Sequence, residues 1–455
     1  MYPKSIMFTG KSRRPDSLMP PLLTWLRTGQ WLPQDHRVHK EWLGGIIDHV
    51  DKNPKDLHPV LKEFKELIEG DTRTYLLFSS MFDQVPRKNP YSKDPTGHRQ
   101  VRDYEHMLQL LNHILTTAPS WSDKSHKVGL VGLPINALLD WPMGTSSGFA
   151  VFLDPKVNAM FKKVLNAWGE YLSSPPSAEV LGANSSGWFG ETAAKDLTSV
   201  ANVGESSYNF EEMFICDPSA KNHGFKSWDS FFTRLFREGI RPVAGPENPD
   251  IIANACESKP YNVAYNVKAR DKFWVKGQPY SIVDMLAHDE LAEQFVGGTI
   301  YQAFLSALSY HRWHSPVTGK IVKAYVKDGT YYSEPPFEEF NGLKGADVEG
   351  EATGQGYITA TATRAIIFIE AENPAIGLMA FLGVGMAEVS TCDITVKEGQ
   401  HVEKGDQIGM FHFGGSTHCL LFRKGVDVRG FPEPGRKQNV PVRSEVGVVR
   451  SSARS

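Results

Sequence analysis

The 455-residue sequence predicts an α+β fold in two parts, a mainly helical N-terminal domain over residues 1–225 and a β-rich domain over residues 226–455. Apolar residues recur at spacings of three and four through Leu43, Ile46, Ile47 and Val50, then Leu61, Phe64, Leu67 and Ile68, then Met107, Leu108, Leu111, Ile114 and Leu115. That recurrence is the stripe of amphipathic helices. Beyond Arg241-Pro242 the texture changes to the short runs YNVAYNV, KIVKAYV, YITATATRAIIFIE and EVSTCDITV, whose β-branched and aromatic residues predict strands. The length agrees with two or three domains at roughly 100 to 200 residues each.

In order, Asp154-Pro155 followed by KVNAMFKKVLNAWGEYL predicts a helix with Asp154 as N-cap, ending before Pro175-Pro176. Residues 182–190 and 199–207, rich in Ser, Asn and Gly, predict loops. The closing RSEVGVVRSSARS predicts a strand followed by a basic tail. The N-terminus carries Lys4, Lys11, Arg13 and Arg14 before its first acidic residue, Asp16, but Pro3, Gly10, Pro15 and Pro20 interrupt any amphipathic helix, so it reads as a mobile cytosolic tail rather than a presequence.

Composition excludes several classes. Lys and Arg (49) against Asp and Glu (52) leave a formal charge of −3, far from the basic balance of a nucleic-acid binder. Four widely spaced cysteines without a CxxC argue against a disulfide framework or a cysteine-type zinc site and for a reducing, cytoplasmic compartment. The most apolar stretch, Ala375 to Val389, holds three glycines and is shorter than the roughly 18 to 20 residues of a membrane span, so no spanning helix is predicted.

Three segments carry the chemistry: Asn254-Ala255-Cys256-Glu257-Ser258, Tyr310-His311-Arg312-Trp313-His314-Ser315-Pro316, and Phe411-His412-Phe413-Gly414-Gly415-Ser416-Thr417. Alone, a Gly-Gly-Ser is commonly a turn. Two histidines three apart lack a third ligand at a recognisable spacing, so no metal is expected. Together the segments supply a reaction. A serine preceded by glycine can attack its own upstream carbonyl, because glycine tolerates the backbone distortion. That is an N-to-O acyl shift at Gly415-Ser416. An imidazole is needed to take the hydroxyl proton and a carboxylate to orient that imidazole, for which His314 and Glu257 are the candidates. Loss of the Ser416 Cα proton, β-elimination and hydrolysis would then leave a pyruvoyl group.

These segments resemble the phosphatidylserine decarboxylase family of pyruvoyl enzymes. KSWDSFFTRLFREGIRPV, NACES, YHRWHSPVTGKI, TRAIIFIEAE and VEKGDQIGMFHFGGSTHCLLF match its blocks in order over residues 226–425. The resemblance implies a catalytic domain over 226–455, Ser416 as the pyruvoyl precursor and self-cleavage between 415 and 416. It also implies His314 as the catalytic histidine and His311 as its neighbour. Glu257 stands where the family has aspartate. GQWLPQDHRVHKEWL, LNAWGEYLSS and GMFHFGGS further resemble the branch that contains a fungal tryptophan decarboxylase, where that glutamate is expected.

This branch resemblance implies a free aromatic L-amino acid as substrate, most specifically L-tryptophan converted to tryptamine and CO2. The pyruvoyl carbonyl would condense with its amine and act as electron sink, with His314 returning the proton. Neither a nucleic-acid partner nor a membrane span is expected, and the cleavage fragments are expected to stay associated. The alternatives are a phosphatidylserine decarboxylase making phosphatidylethanolamine, an inactive homologue serving as a binding scaffold, and a carrier module using Lys404 in VKEGQHVEKGDQIG. His412, His418 and Arg364 are further polar residues of the same half, and Arg364 could bind a carboxylate or pair with Glu370.

Overall fold

The computed structural model describes residues 36–85, 101–122, 133–271, 280–333, 354–389, 391–413, 416–436 and 438–450. The N-terminal tail, Trp274, Gly414, Gly415 and the basic tail at 451–455 lie outside these residues.

The first half is helical, as its apolar spacing dictates: α1 (His36–Lys52), α2 (Pro59–Glu69), α3 (Thr72–Gln84), α4 (Tyr104–Ile114), α5 (Pro134–Met143), α6 (Ser146–Phe152), α7 (Pro155–Leu172), α8 (Glu191–Ala201), α9 (Phe210–Met213) and α10 (Trp228–Phe232). In α7 the expected signals operate together. Asp154 Oδ1 accepts the Lys156 N–H at 2.8 Å, Pro155 occupies the first turn, and Val157, Phe161, Val164, Leu165, Trp168 and Leu172 are buried. Leu61, Phe64 and Ile68 of α2 and Met107, Leu108, Leu111 and Ile114 of α4 join the same core.

The second half is built of antiparallel strands: β1 (Ile251–Ala253), β2 (Lys259–Tyr265), β3 (Thr299–Leu305), β4 (Arg312–His314), β5 (Gly319–Lys327), β6 (Arg364–Ala371), β7 (Leu378–Gly385), β8 (Thr391–Ile394), β9 (His401–Val402), β10 (Gln407–His412), β11 (Ser416–Phe422), β12 (Val428–Arg429) and β13 (Glu445–Val449). Among the described residues they form a seven-stranded sheet in the order β2-β3-β11-β7-β6-β5-β9 and two three-stranded sheets, β4-β10-β8 and β1-β13-β12. The apolar stretch at Ala375–Val389 becomes central strand β7, buried along its whole length. Near-continuous apolar runs such as β6 and β7 belong to strands covered on both faces. Two short helices, α11 (Ile282–Met285) and α12 (Gln355–Thr361), accompany the sheet.

One strand expectation is corrected. YITATATRAIIFIE divides into α12 and β6, with Ala362 and Thr363 between them. Gln355 to Thr359 are buried, and Thr330 donates its N–H to the Thr361 carbonyl. Burial and this bridge override the strand propensity of Tyr357, Ile358 and Thr359.

Strand β11 positions the rest. It pairs with β7 on one side and β3 on the other, so Ser416 faces Gly385 and Leu305. Every residue of β11 is buried. Leu420, Leu421 and Phe422 each contribute about 1.5–3 kcal/mol by leaving water. The helical and sheet cores meet at aromatic contacts around the preceding turn, where Phe413 lies 6.0 Å from Trp168 and 6.4 Å from Trp228.

Candidate active site

Ser416 is the first residue of a central strand, fully buried, and among the described residues its Oγ has no hydrogen-bond partner. A buried hydroxyl left unsatisfied costs about 1–3 kcal/mol, which marks the position for something other than packing. Three residues upstream, Phe413 holds a left-handed backbone with φ +66° while its ring is anchored against Trp168 and Trp228. Such a conformation in a bulky residue stores strain three residues before Ser416. Gly415, the expected cleavage residue, lies outside the described residues.

The two histidines of β4 and its approach are placed by pairing with β10. His314 stands opposite Gln407, whereas the His311 carbonyl accepts the Phe411 N–H at 2.9 Å, so His311 lies nearer the serine end of β10. The His311 ring stacks on Phe232 at 4.1 Å and is fully buried. The His314 ring is held between the Gly405 carbonyl, 2.8 Å from Nδ1, and the Tyr310 hydroxyl, 3.0 Å from Nε2. With Nδ1–H donating to the carbonyl, Nε2 is left as acceptor for the tyrosine. Burial, aided by the Arg443 guanidinium 3.2 Å from Nδ1, pushes His314 down to about 3.

Glu257 does not touch His314. Its carboxylate is bidentate to Arg241, 2.6 Å to Nη2 and 3.0 Å to Nε, and accepts the Val442 N–H at 2.8 Å. The groups that orient His314 are therefore Gly405, Tyr310 and Arg443. Glu257 connects to it indirectly: Arg241 lies 4.4 Å over Phe236, which packs 4.6 Å from Tyr310. The two segments do meet through the backbone, where the His314 N–H donates to the Ala255 carbonyl at 2.8 Å. Nothing in the spacing of the sequence announces Arg241 or Arg443.

The remaining polar residues are also placed. Arg364 spends its guanidinium on the carbonyls of Met285, Ala362 and Asp284 and pairs with no carboxylate of β6. Lys404 is pinned by the carbonyls of Gly245, Asn248 and Ile251, which removes the freely swinging lysine a carrier module needs. Trp313 is buried against Gly409, where an added Cβ would sit 2.4 Å from its ring. Burial disfavours charge on His412, yet Asp229, 2.8 Å from its Nδ1, raises its pKa above the ordinary value. His418, two residues beyond Ser416 on the same strand face, is wholly buried, stacks near Phe381 at 6.0 Å, and is pushed by burial down to about 3.

Glu388 was not singled out by the sequence. It lies just beyond β7, fully buried, and burial raises its carboxyl to about 7. Its signal was a lone carboxylate inside the most apolar stretch of the chain. These three groups set an acid dependence. His314 and His418 are neutral when folded but take up protons when unfolded, so their stabilising share is full above pH 6.5 and is lost as pH falls toward 3. Glu388 acts oppositely, its share being present below 4.5 and lost as pH rises to 7. Between 4.5 and 6.5 the two histidines prevail over the one carboxyl. The urea midpoint is expected to fall with acid, and His314→Asn to flatten that slope by up to about 1.4 kcal/mol per pH unit. An unchanged slope in that variant would show that His314 is not buried neutral.

Two profiles, both described as phosphatidylserine decarboxylase, match residues 58–197 and 228–444. The chain belongs to the phosphatidylserine decarboxylase family and is by that membership a carboxy-lyase. Among its relatives, the decarboxylase iboD of Amanita muscaria is 47% identical over 298 residues, covering 64% of this chain and 84% of the relative. The L-tryptophan decarboxylase of Psilocybe cubensis is 36% identical over 422 residues, covering 89% of this chain and 91% of that one. The phosphatidylserine decarboxylase proenzyme 3 of Schizosaccharomyces pombe is 34% identical over 204 residues, covering 45% of this chain and 19% of the relative. The branch resemblance read from the sequence is thus borne out by relatives matched along nearly the whole chain.

Proposed function

We propose that the chain is a pyruvoyl-dependent decarboxylase of a free aromatic L-amino acid, with L-tryptophan as the leading substrate and tryptamine and CO2 as products. The observation that carries the reading is the buried, partnerless hydroxyl of Ser416 at the head of β11, behind a strained Phe413. Similarity to L-tryptophan decarboxylase over 89% of this chain supports the substrate class.

Self-cleavage on this reading begins with the Ser416 Oγ attacking the Gly415 carbonyl carbon. The Gly415–Ser416 C–N bond breaks as the ester forms, and the serine amine takes up a proton. Removal of the Ser416 Cα proton expels the Gly415 carboxylate from Cβ. One water then hydrolyses the imine tautomer of the resulting dehydroalanine, releasing ammonia and leaving pyruvoyl at residue 416. The orphaned hydroxyl fits that product. When present, its carbonyl supplies an electron sink for the pair released with CO2.

The chain's own residues bind and move protons. His311, on the nearer rung of the β4–β10 ladder, and His314, held neutral by burial, are the imidazoles available for proton transfer. Tyr310 and the Gly405 carbonyl fix the His314 ring, while Glu257 and Arg241 brace the 440–444 segment beside it. Because β11 is hydrogen-bonded on both sides, the 40-residue piece 416–455 would stay with residues 1–415 after cutting. Among the described residues no helix is long and apolar enough to cross a membrane.

The deciding assay offers the purified protein L-tryptophan in buffer and, separately, phosphatidylserine in vesicles. Release of CO2 and tryptamine from the amino acid, without turnover of the lipid, is the expected result. Phosphatidylethanolamine formation without tryptamine would replace this reading with the phospholipid one.

A further inference from the structure

The strongest unexplained feature is a knot of buried polar atoms where helix α5 meets the end of β7. Glu388 Oε1 accepts the Ile135 N–H at 2.5 Å and the Asn136 N–H at 2.8 Å. Those bonds have a structural purpose, because the N-cap of α5 is Leu133, which has no side chain able to cap it. Capping leaves half of the group unused. Among the described residues Glu388 Oε2 and the side-chain N and O of Asn136, both residues without exposed surface, have no partner. Two acceptors and one amide donor are thus left unsatisfied on two residues joined by a main-chain hydrogen bond, each at about 1–3 kcal/mol.

Position gives the knot a meaning. Gly385, the β7 partner of Ser416, precedes Glu388 by three residues, a span of at most about 11 Å along the chain. Ala387, between them, has φ +52° and donates its N–H to the Tyr331 carbonyl at 3.2 Å, turning the chain into the helical half. Once ionised, above about pH 7, a carboxylate anchored by two main-chain N–H groups keeps Oε2 as a fixed acceptor. Its complement is an N–H donor on a flat, otherwise apolar group. We propose that Glu388, held through Oε1 by the main-chain N–H groups of Ile135 and Asn136, is the specificity-determining residue of the substrate pocket, with Oε2 accepting the ring N–H of an indole-bearing amino acid. This rests on the aromatic amino acid reading above and gives the helical half a task, supplying the far wall of the pocket.

The test compares kcat/KM for L-tryptophan and 1-methyl-L-tryptophan, which lacks the ring N–H, in self-cleaved wild type and in Glu388→Gln. The wild type is expected to prefer tryptophan by about 10- to 100-fold, the range for a hydrogen bond to a charged group, and the variant to bring the ratio to within about 3-fold. A purely structural role would lower both substrates together and leave the ratio unmoved, overturning the proposal. Wild type alone is also decisive: equal use of both substrates removes this inference while leaving the aromatic reading intact. Activity on neither amino acid removes the aromatic reading and the inference with it.

Discussion

Ser416→Ala is expected to leave the protein as one uncut chain, with decarboxylation reduced on the order of 10⁴-fold or more. The substitution removes the oxygen that must attack Gly415, and no other described hydroxyl precedes β11 at that place. Stability is expected to hold, which makes the result interpretable. Relative to the uncut chain the Ser416 Oγ gives up no hydrogen bond when deleted, and replacing a buried hydroxymethyl group whose hydroxyl is unsatisfied by a methyl group is neutral or favourable. Gel mobility, activity and the urea midpoint read the three consequences on one sample. Normal activity in this variant would remove Ser416 from the chemistry.

The second large effect is expected at Glu257. Its carboxylate meets Arg241 twice and the Val442 N–H once, within a site where the glutamate is 1% and Arg241 8% exposed. Glu257→Ala leaves a buried guanidinium and a buried N–H without that partner, at a cost of about 3–5 kcal/mol. Cleavage is expected to slow as well, because Arg443 follows Val442 directly and reaches the Gly405 carbonyl at 2.9 Å beside His314. Glu257→Asp, one methylene shorter, is expected to fall between, since it cannot keep both the Arg241 and Val442 contacts at full length. Paired replacement, Glu257→Leu with Arg241→Leu, is expected to recover part of the stability without restoring the cleavage rate. A Glu257→Ala protein with an unchanged urea midpoint would contradict the ion-pair account.

What was legible in the sequence was what short-range physics fixes. Asp154-Pro155 starts α7 because an N-cap and a first-turn proline act within one turn, and β6 reads as a strand because its burial is nearly continuous. The serine, its glycines and the histidine pair stand out as candidates because the chemistry that proposes them is written in adjacent residues. Partners distant in sequence were not. Glu257 depends on Arg241, His314 on Arg443 at a separation of 129, and Glu388 on helix α5, more than 250 residues earlier. The helix at Gln355–Thr361 was missed because its side chains favour strand locally while the surrounding core imposes a turn of helix.

Whether the chain makes its own carbonyl at Ser416 is measured most directly by denaturing intact-mass spectrometry of the purified wild type. The predicted result is two chains, residues 1–415 and 416–455, the smaller lighter than its sequence by the mass gained and lost in exchanging the serine amine and hydroxyl for a ketone, a net loss of one ammonia, and reactive toward a carbonyl reagent. A single chain of 455 residues at its full sequence mass would contradict it.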